Sequence, residues 1–335
     1  MRHGLCKGQN HFVSTQWKKR NASQATPKVV VLGGINRDYV ILGQRLPRAG
    51  ETVLGQELLV GPGGKGANQA VGAHRLGAEV SLIGAVGSDA TGEALLQGLT
   101  EEGVDVSHVS ITSKSVSGTA LILVDSTGEK MIGTVVGANR HVTVAQVRKA
   151  RRVIEAADVL LLQFEIPMPA LREAARLAYR AGVTVILDAG PPIKSPEILW
   201  QHIHILRANA TEAEALSGLR IRDERTSRRA GATLLKRGLQ AVILPTEQES
   251  DLMLWNGSEA ILPWFQVKTV DATGAGDAFA AGLAVGLGEG LSLIEAGRLG
   301  SAAAALKITR KGAQAGMPTR QQTHHLLLTL PQGGS

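Results

Sequence analysis

The segment Asp271-Ala-Thr-Gly-Ala-Gly-Asp277 is the part of this 335-residue chain best equipped for chemistry. Small residues at 274–276 leave backbone N–H groups uncovered, so they can close on an anion without a Cβ in the way. A helical Ala/Leu/Gly pattern follows to about Leu287, which sets a helix start, with free N–H donors and a positive dipole end, at the same point. An anion cradle with a carboxylate at its mouth suits phosphoryl transfer. Gly274, Ala275 and Gly276 would stabilise charge on the transferred group while Asp277 takes the acceptor hydroxyl's proton. The plainer reading of Asp277 is an N-cap.

Other residues suit a partner for that reaction less specifically. Gly61-Pro-Gly-Gly-Lys-Gly66 formally matches a dinucleotide fingerprint, but it does not follow the first strand and no acid lies about 20 residues on. It also fails as a P-loop, because Gly66 follows Lys65 where Ser or Thr is needed. Lys65 and Asn68 at a helix start could still bind hydroxyls or anions. Asn36 and Asp38, just after the first strand, could hold a vicinal diol or simply make an Asx turn. Asn209 and Glu212 could orient hydrated Mg²⁺ and phosphate oxygens, and Thr211 and Glu214 equally suit an ordinary helix start at the same place. Glu165 is a strand-end carboxylate of similar ambiguity. The nine histidines show no metal-ligand spacing, and His202 and His204 alternate along an expected strand.

These residues need a scaffold, and the pattern supplies one. Short apolar runs at Lys28–Leu32, Val80–Ile83, Val159–Leu162, Val183–Leu187, Ile203–Leu206 and Ala241–Leu244 read as buried strands. Helical patterns at Gly66–Leu76, Thr91–Glu102, Pro169–Arg180, Thr226–Arg237 and Ala296–Leu306 lie between or after them. This alternation predicts an α/β fold with a mostly parallel central sheet covered on both faces. Residues 39–60 and 118–136 lack helices and predict a small β element, a lid, beside that sheet. One folded unit is expected over 27–327, with a basic tail at 1–26 and a frayed end at 328–335.

Composition narrows the class. Ten aromatics among 335 residues argue against base-stacking single-strand binders, and no apolar run reaches about 18 residues, so no spanning helix is expected. The lone Cys6 excludes an internal disulfide framework. Of the formal charge of +7, Arg2, Lys7, Lys18, Lys19 and Arg20 fall in the acid-free tail, so the rest is nearly balanced. No nucleic-acid surface is expected there, and without a secretory segment the expected location is cytoplasmic.

Taken together, the segments resemble the ribokinase-like (PfkB) family of sugar kinases from about Lys28 to Pro318. The resemblance rests on Gly-Gly-Ile-Asn-Arg-Asp at 33–38, Gly-Gly-Lys-Gly-Ala-Asn-Gln-Ala at 63–70, Asn-Ala-Thr-Glu at 209–212, Asp-Ala-Thr-Gly-Ala-Gly-Asp at 271–277 and Thr-Arg-Lys-Gly-Ala-Gln at 309–314. It implies a three-layer α/β/α sandwich with a β lid, and ATP-dependent phosphorylation of the 5-hydroxyl of ribose. Asn36, Asp38, Gly64, Lys65, Asn68 and Glu165 would hold the sugar, and Asp277 would be the general base at the Gly274–Gly276 anion hole. Asn209, Thr246, Gly276 and Ser301 would meet the nucleotide, and Glu212 would position Mg²⁺ through water. Asp271, Thr273, Lys307, Arg310, Gly312 and Gly316 would hold an activating K⁺, largely through carbonyls. Ribose and ATP are then the small-molecule partners, and lids would pair in a homodimer.

One stretch departs from the family. Pro245-Thr-Glu-Gln-Glu-Ser250 replaces a glycine-bearing nucleotide loop, and Glu247 and Glu249 bring negative charge toward the expected phosphates. At about 7 Å and an effective dielectric near 20, each such pair costs roughly 2 kcal/mol. Two alternatives therefore stand beside ribose phosphorylation: a related kinase of deoxyribose, a nucleoside or another sugar, and a sugar-binding protein with impaired ATP use.

Overall fold

The Val-Val-Val-Leu run after Lys28 has side chains on both faces of the strand Lys28–Leu32 (β1), and both faces are buried. Val30 and Leu32 join one apolar cluster while Val29 and Val31 join another. The same division runs through Val159–Leu162 (β8), where Leu160 and Leu162 part from Val159 and Leu161. A two-residue period with both faces buried defines the middle of a three-layer structure. Each fully buried leucine here contributes about 1.5–3 kcal/mol.

The computed structural model describes residues 25–329, except 194–196 and 247–248. The expected basic tail, apart from Ala25 and Thr26, lies outside the described residues, as do Glu247 and residues 330–335. The remaining strands are Asn36–Gly43 (β2), Gly55–Gly63 (β3), Glu79–Gly87 (β4), Asp105–Thr112 (β5), Gly118–Val124 (β6), Lys130–Val135 (β7), Thr184–Asp188 (β9), Ile205–Arg207 (β10), Ala241–Thr246 (β11), Ser250–Trp255 (β12) and Ser258–Pro263 (β13). Among the described residues, β13-β12-β11-β10-β9-β8-β1-β4-β5 form a nine-stranded sheet. It is parallel from β5 to β11 and antiparallel at the β11–β12–β13 edge. The helices Lys65–Arg75, Ala275–Gly288 and Leu293–Ile308 cover one face; Met168–Ala181, Ala210–Ser217 and Glu224–Leu235 cover the other. The fold is therefore α/β with a mostly parallel sheet. No helix among the described residues is long and apolar enough to cross a membrane.

Strands β3-β2-β6-β7 form a separate four-stranded sheet. Asn36 and Asp38, expected just after the first strand either to hold a diol or to make an Asx turn, begin a second strand, which excludes the turn. They lie inside β2, where Asn36 is paired with Gly63 on one side and Gly118 on the other. Three strands, β5, β12 and β13, were not anticipated. Polar residues interrupt β5, an edge strand of the large sheet. The β12–β13 hairpin turns at Asn256-Gly257, both with positive φ (46° and 77°), the pair favoured by a type I′ turn.

Candidate active site

The carboxyl ends of β1, β8, β9 and β10 meet the starts of two helices, the crevice where open parallel sheets place ligands. Gly64 caps the helix Lys65–Arg75 at φ 86°, a left-handed angle that a side chain disfavours, and a Cβ there would meet the Gly34 carbonyl. The cap sets Lys65, Asn68 and Gln69 on one face, at i, i+3 and i+4. All three reach Asp277 on the helix Ala275–Gly288. Asn68 Nδ2 donates to Asp277 Oδ2 at 2.9 Å, and Lys65 Nζ and Gln69 Nε2 each donate to Oδ1 at 3.2 Å. Asn68 is itself steadied from behind, as Gln314 Nε2 donates to its Oδ1 at 3.2 Å.

Asp277 sits in the first turn of a helix whose cap residue, Gly274, offers no side-chain acceptor. The N–H of Ala275 is taken by the Ala272 carbonyl at 3.2 Å, which removes it from the expected anion hole. The N–H groups of Gly276 and Asp277 remain as first-turn donors without an intrahelical partner. A Cβ on Gly276 would run into the Arg207 guanidinium, so a cation lies directly against the cradle.

Sequence reasoning missed Arg207, Asp188 and Gln69. Asp188 ends β9 with no exposed surface and accepts from Lys65 Nζ at 2.7 Å, Gln69 Nε2 at 2.9 Å and Arg207 Nη1 at 3.0 Å. Burial opposes its ionisation, yet Lys65 and Arg207 outweigh that and hold it below the ordinary aspartate value. Burial likewise opposes the Lys65 charge, and Asp188, Asp277 and Glu212 together hold it protonated. The signal available in the sequence was an acid closing a buried run, Val183–Leu187 then Asp188, the same placement that drew notice to Glu165.

The sugar-side residues gather at the same crevice. Glu165 Oε2 accepts from the Lys65 backbone N–H at 2.7 Å, and burial pushes its carboxyl up to about 7 against the pull of Lys65. Asp38 is pushed up to about 6 by burial and then by the Asp277 charge, and its buried Oδ1 has no hydrogen-bond partner. Asn36 Oδ1 accepts from Asn139 Nδ2 at 2.8 Å, which fixes the amide; Asn139 was not foreseen. Two raised carboxyls and an orphaned buried oxygen are the complement of a ligand rich in hydroxyl donors.

On the nucleotide side, Asn209 and Glu212 form a capping box: Glu212 N donates to Asn209 Oδ1 at 2.9 Å and Asn209 N to Glu212 Oε2 at 2.8 Å. The helix-start reading is thus correct, and Glu212 still faces the cluster electrostatically, its carboxyl raised by burial and by Asp188. Among the described residues no group of three or more His, Cys, Asp or Glu could cage a metal. A single carboxylate such as Glu212 is enough for Mg²⁺, which keeps waters and phosphate oxygens and needs only one or two carboxylates. The Thr246 hydroxyl lies against Ser250 in the β11–β12 turn, and the buried Ser301 Oγ has no partner. Glu249 is exposed and accepts from Gln266 Nε2 at 2.7 Å.

The residues expected to hold K⁺ do not fit that role. Asp271 Oδ1 accepts from Thr273 N and Oδ2 from Gly312 N, both at 2.9 Å. The carbonyls of Asp271 and Arg310 accept from Lys307 Nζ at 2.8 and 3.2 Å. Lys307 thus enters with its ammonium, where a backbone carbonyl was expected. Gly316 has no side-chain oxygen to offer, and a Cβ there would press on Lys307 Cε at 3.0 Å.

Comparison with known proteins agrees with this geometry. Residues 26–320 match the pfkB family carbohydrate kinase model. A ribokinase of Haemophilus influenzae is 39% identical over 89% of this chain and 98% of its own, and one of Bacillus subtilis is 38% identical over 89% and 99%. The structure of an Arabidopsis thaliana ribokinase complexed with ribose and ATP superposes with a TM-score of 0.82 at 32% identity, covering 90% of this chain and 99% of that one. Matching along almost the whole described chain, with Asp277 at an uncapped helix start in the crevice, this protein belongs to the pfkB family of carbohydrate kinases.

Proposed function

We propose that the chain transfers the γ-phosphoryl group of ATP to the 5-hydroxyl of D-ribose, giving ribose 5-phosphate and ADP. The observation that carries this is the Asp277 carboxylate, nearly buried, held by Asn68, Lys65 and Gln69 beside the free N–H groups of its own helix. Asp38, Asn36 and Glu165 orient the sugar by accepting from and donating to its hydroxyls. Asp277 takes the 5-hydroxyl proton as that oxygen bonds to phosphorus and the bridging oxygen leaves with ADP. The Gly276 and Asp277 N–H groups, with Lys65 and Arg207 close by, stabilise the charge on the transferred group. Mg²⁺, when bound with ATP, neutralises phosphate charge, and Glu212 is placed to orient one of its waters.

The four-stranded sheet serves as a lid. Pairing puts Ile41, Leu58, Val60, Leu121, Met131 and Val135 on one face, and all six are exposed. The opposite face carries Asn36, Asp38, Ala120 and Ile122, all but Asp38 buried. A sheet with its polar site residues inward and an apolar outer face calls for a partner surface, and a second copy of the lid supplies one in a homodimer. Use of ATP and a lone cysteine suit a cytoplasmic setting.

The direct test is ADP release from Mg-ATP with and without ribose. Ribose-dependent ADP release with ribose 5-phosphate as product supports the assignment. A folded protein that binds ribose without turning over ATP refutes it, and preference for deoxyribose or a nucleoside reassigns the acceptor.

A further inference from the structure

Lys307 is a fully buried lysine, lying in the last turn of the helix Leu293–Ile308 with none of its surface exposed. A buried ammonium persists only where acceptors replace its water. Here it donates to the Asp271 and Arg310 carbonyls at 2.8 and 3.2 Å, with Asp271 Oδ2 at 3.6 Å. These acceptors come from the two loops that flank the anion cradle. One is the turn at Asp271–Thr273, which leads directly into Gly274–Asp277. The other, at Arg310–Gly316, packs Ala313 against Gly274, with Ala313 atoms 3.4 Å from where a Gly274 Cβ would stand, and sends Gln314 to Asn68. Gly316 leaves space for the lysine stem, since a Cβ there would crowd Lys307 Cε.

We propose that the Lys307 ammonium is a covalently tethered monovalent cation, clamping the two loops so that the anion cradle forms without K⁺. The inference rests on the kinase reading above. It predicts that this enzyme departs from an activation that the family resemblance implies. A tethered cation needs no binding equilibrium, so the Gly276 and Asp277 donors stay aimed at the transferred group whatever the salt. Removing the ammonium while leaving its acceptors creates a carbonyl and carboxylate cage that a free cation can enter.

The experiment compares KCl with choline chloride at equal ionic strength, in the wild type, Lys307→Ala and Lys307→Met. The wild type should show the same ribose-dependent rate and the same melting temperature in both salts. Lys307→Ala should lose roughly 10–100-fold in turnover in choline chloride, as expected of a displaced catalytic loop, and recover much of it in KCl. Its melting temperature should rise by about 2–4 °C in KCl, a stabilisation the apolar Lys307→Met should not show. Severalfold stimulation of the wild type by K⁺, or a K⁺-dependent rise in its melting temperature, overturns the proposal. So does a folded Lys307→Ala indifferent to K⁺ in both rate and melting. If Lys307→Ala does not fold, the wild-type comparison decides. If the wild type shows no ribose-dependent turnover in either salt, the kinase reading fails, and the melting measurements still judge the tethered cation.

Discussion

Asp188 and Asp277 share two donors: Lys65 Nζ lies 2.7 Å from Asp188 Oδ2 and 3.2 Å from Asp277 Oδ1, and Gln69 Nε2 spans the same two oxygens at 2.9 and 3.2 Å. In both cases the shorter bond goes to Asp188. The inner carboxylate therefore anchors the donors, while the outer one receives their longer bonds. Arg207, bound to Asp188 Oδ1, completes a chain from the sheet to the helix start at Gly276. Asp277, the proposed base, is thus positioned by a buried charge cluster that it does not itself anchor.

Replacing Asp277 with Asn keeps the size and the contact with one donor but removes the proton acceptor. Turnover is expected to fall by roughly 10²–10⁴, with ribose affinity little changed. Steady-state kinetics paired with calorimetric ribose titration measures both. Turnover near the wild-type rate would assign the base elsewhere.

Asp188→Asn takes the fully buried charge from between the half-buried Lys65 and Arg207 and leaves the two cations with too little negative charge. Loss of one partner from a buried pair costs about 3–5 kcal/mol, so urea unfolding should show a large drop. Adding Arg207→Met removes the uncompensated cation and should recover part of that loss. If the double variant is as unstable as the sum of the single ones, the two residues are not energetically coupled.

The sequence made the scaffold legible where burial was two-sided. The run Val159–Leu162 coincides with β8, because a strand covered on both faces has no polar residue to blur it. The edge strand β5 was not legible, because serines and a histidine fall on both of its faces and break the apolar run. Asp277 could be read from small residues at a helix start, a purely local pattern. Asp188 left a local signal as an acid closing a buried run, but its pairing with Arg207 could not be read, because it joins β9 to the neighbouring β10 and has no spacing in sequence. The role of Lys307 was likewise invisible, since only the fold shows whether its carbonyl or its ammonium meets Asp271.

The outer face of the lid gives a separate test. Leu121 is 58% exposed between Tyr39 and Gly133, with Ile41 and Met131 on the diagonals. A glutamate there places a charge in the centre of the proposed dimer contact, so Leu121→Glu should sediment as a monomer where the wild type sediments as a dimer. A wild type that is monomeric at micromolar concentration would remove the lid-to-lid assembly.

Ribose binding should depend on pH through Asp38 and Glu165, whose carboxyls burial raises to about 6 and about 7 in the free protein. A sugar hydroxyl donates best to an ionised carboxylate, so binding favours the deprotonated forms and releases protons. Affinity therefore strengthens as pH rises, and Kd should fall about tenfold or more between about pH 5.5 and 8. For folding the sign is reversed. Both groups hold protons more tightly in the native state than in the unfolded chain, so the stability they contribute at low pH is lost as pH rises through about 6 and about 7. Calorimetric titration in buffers of different ionisation enthalpy counts the protons released. Glu165→Gln should abolish the upper part of the pH profile and leave the part due to Asp38. A Kd that does not change with pH would mean that these carboxylates do not accept from the sugar.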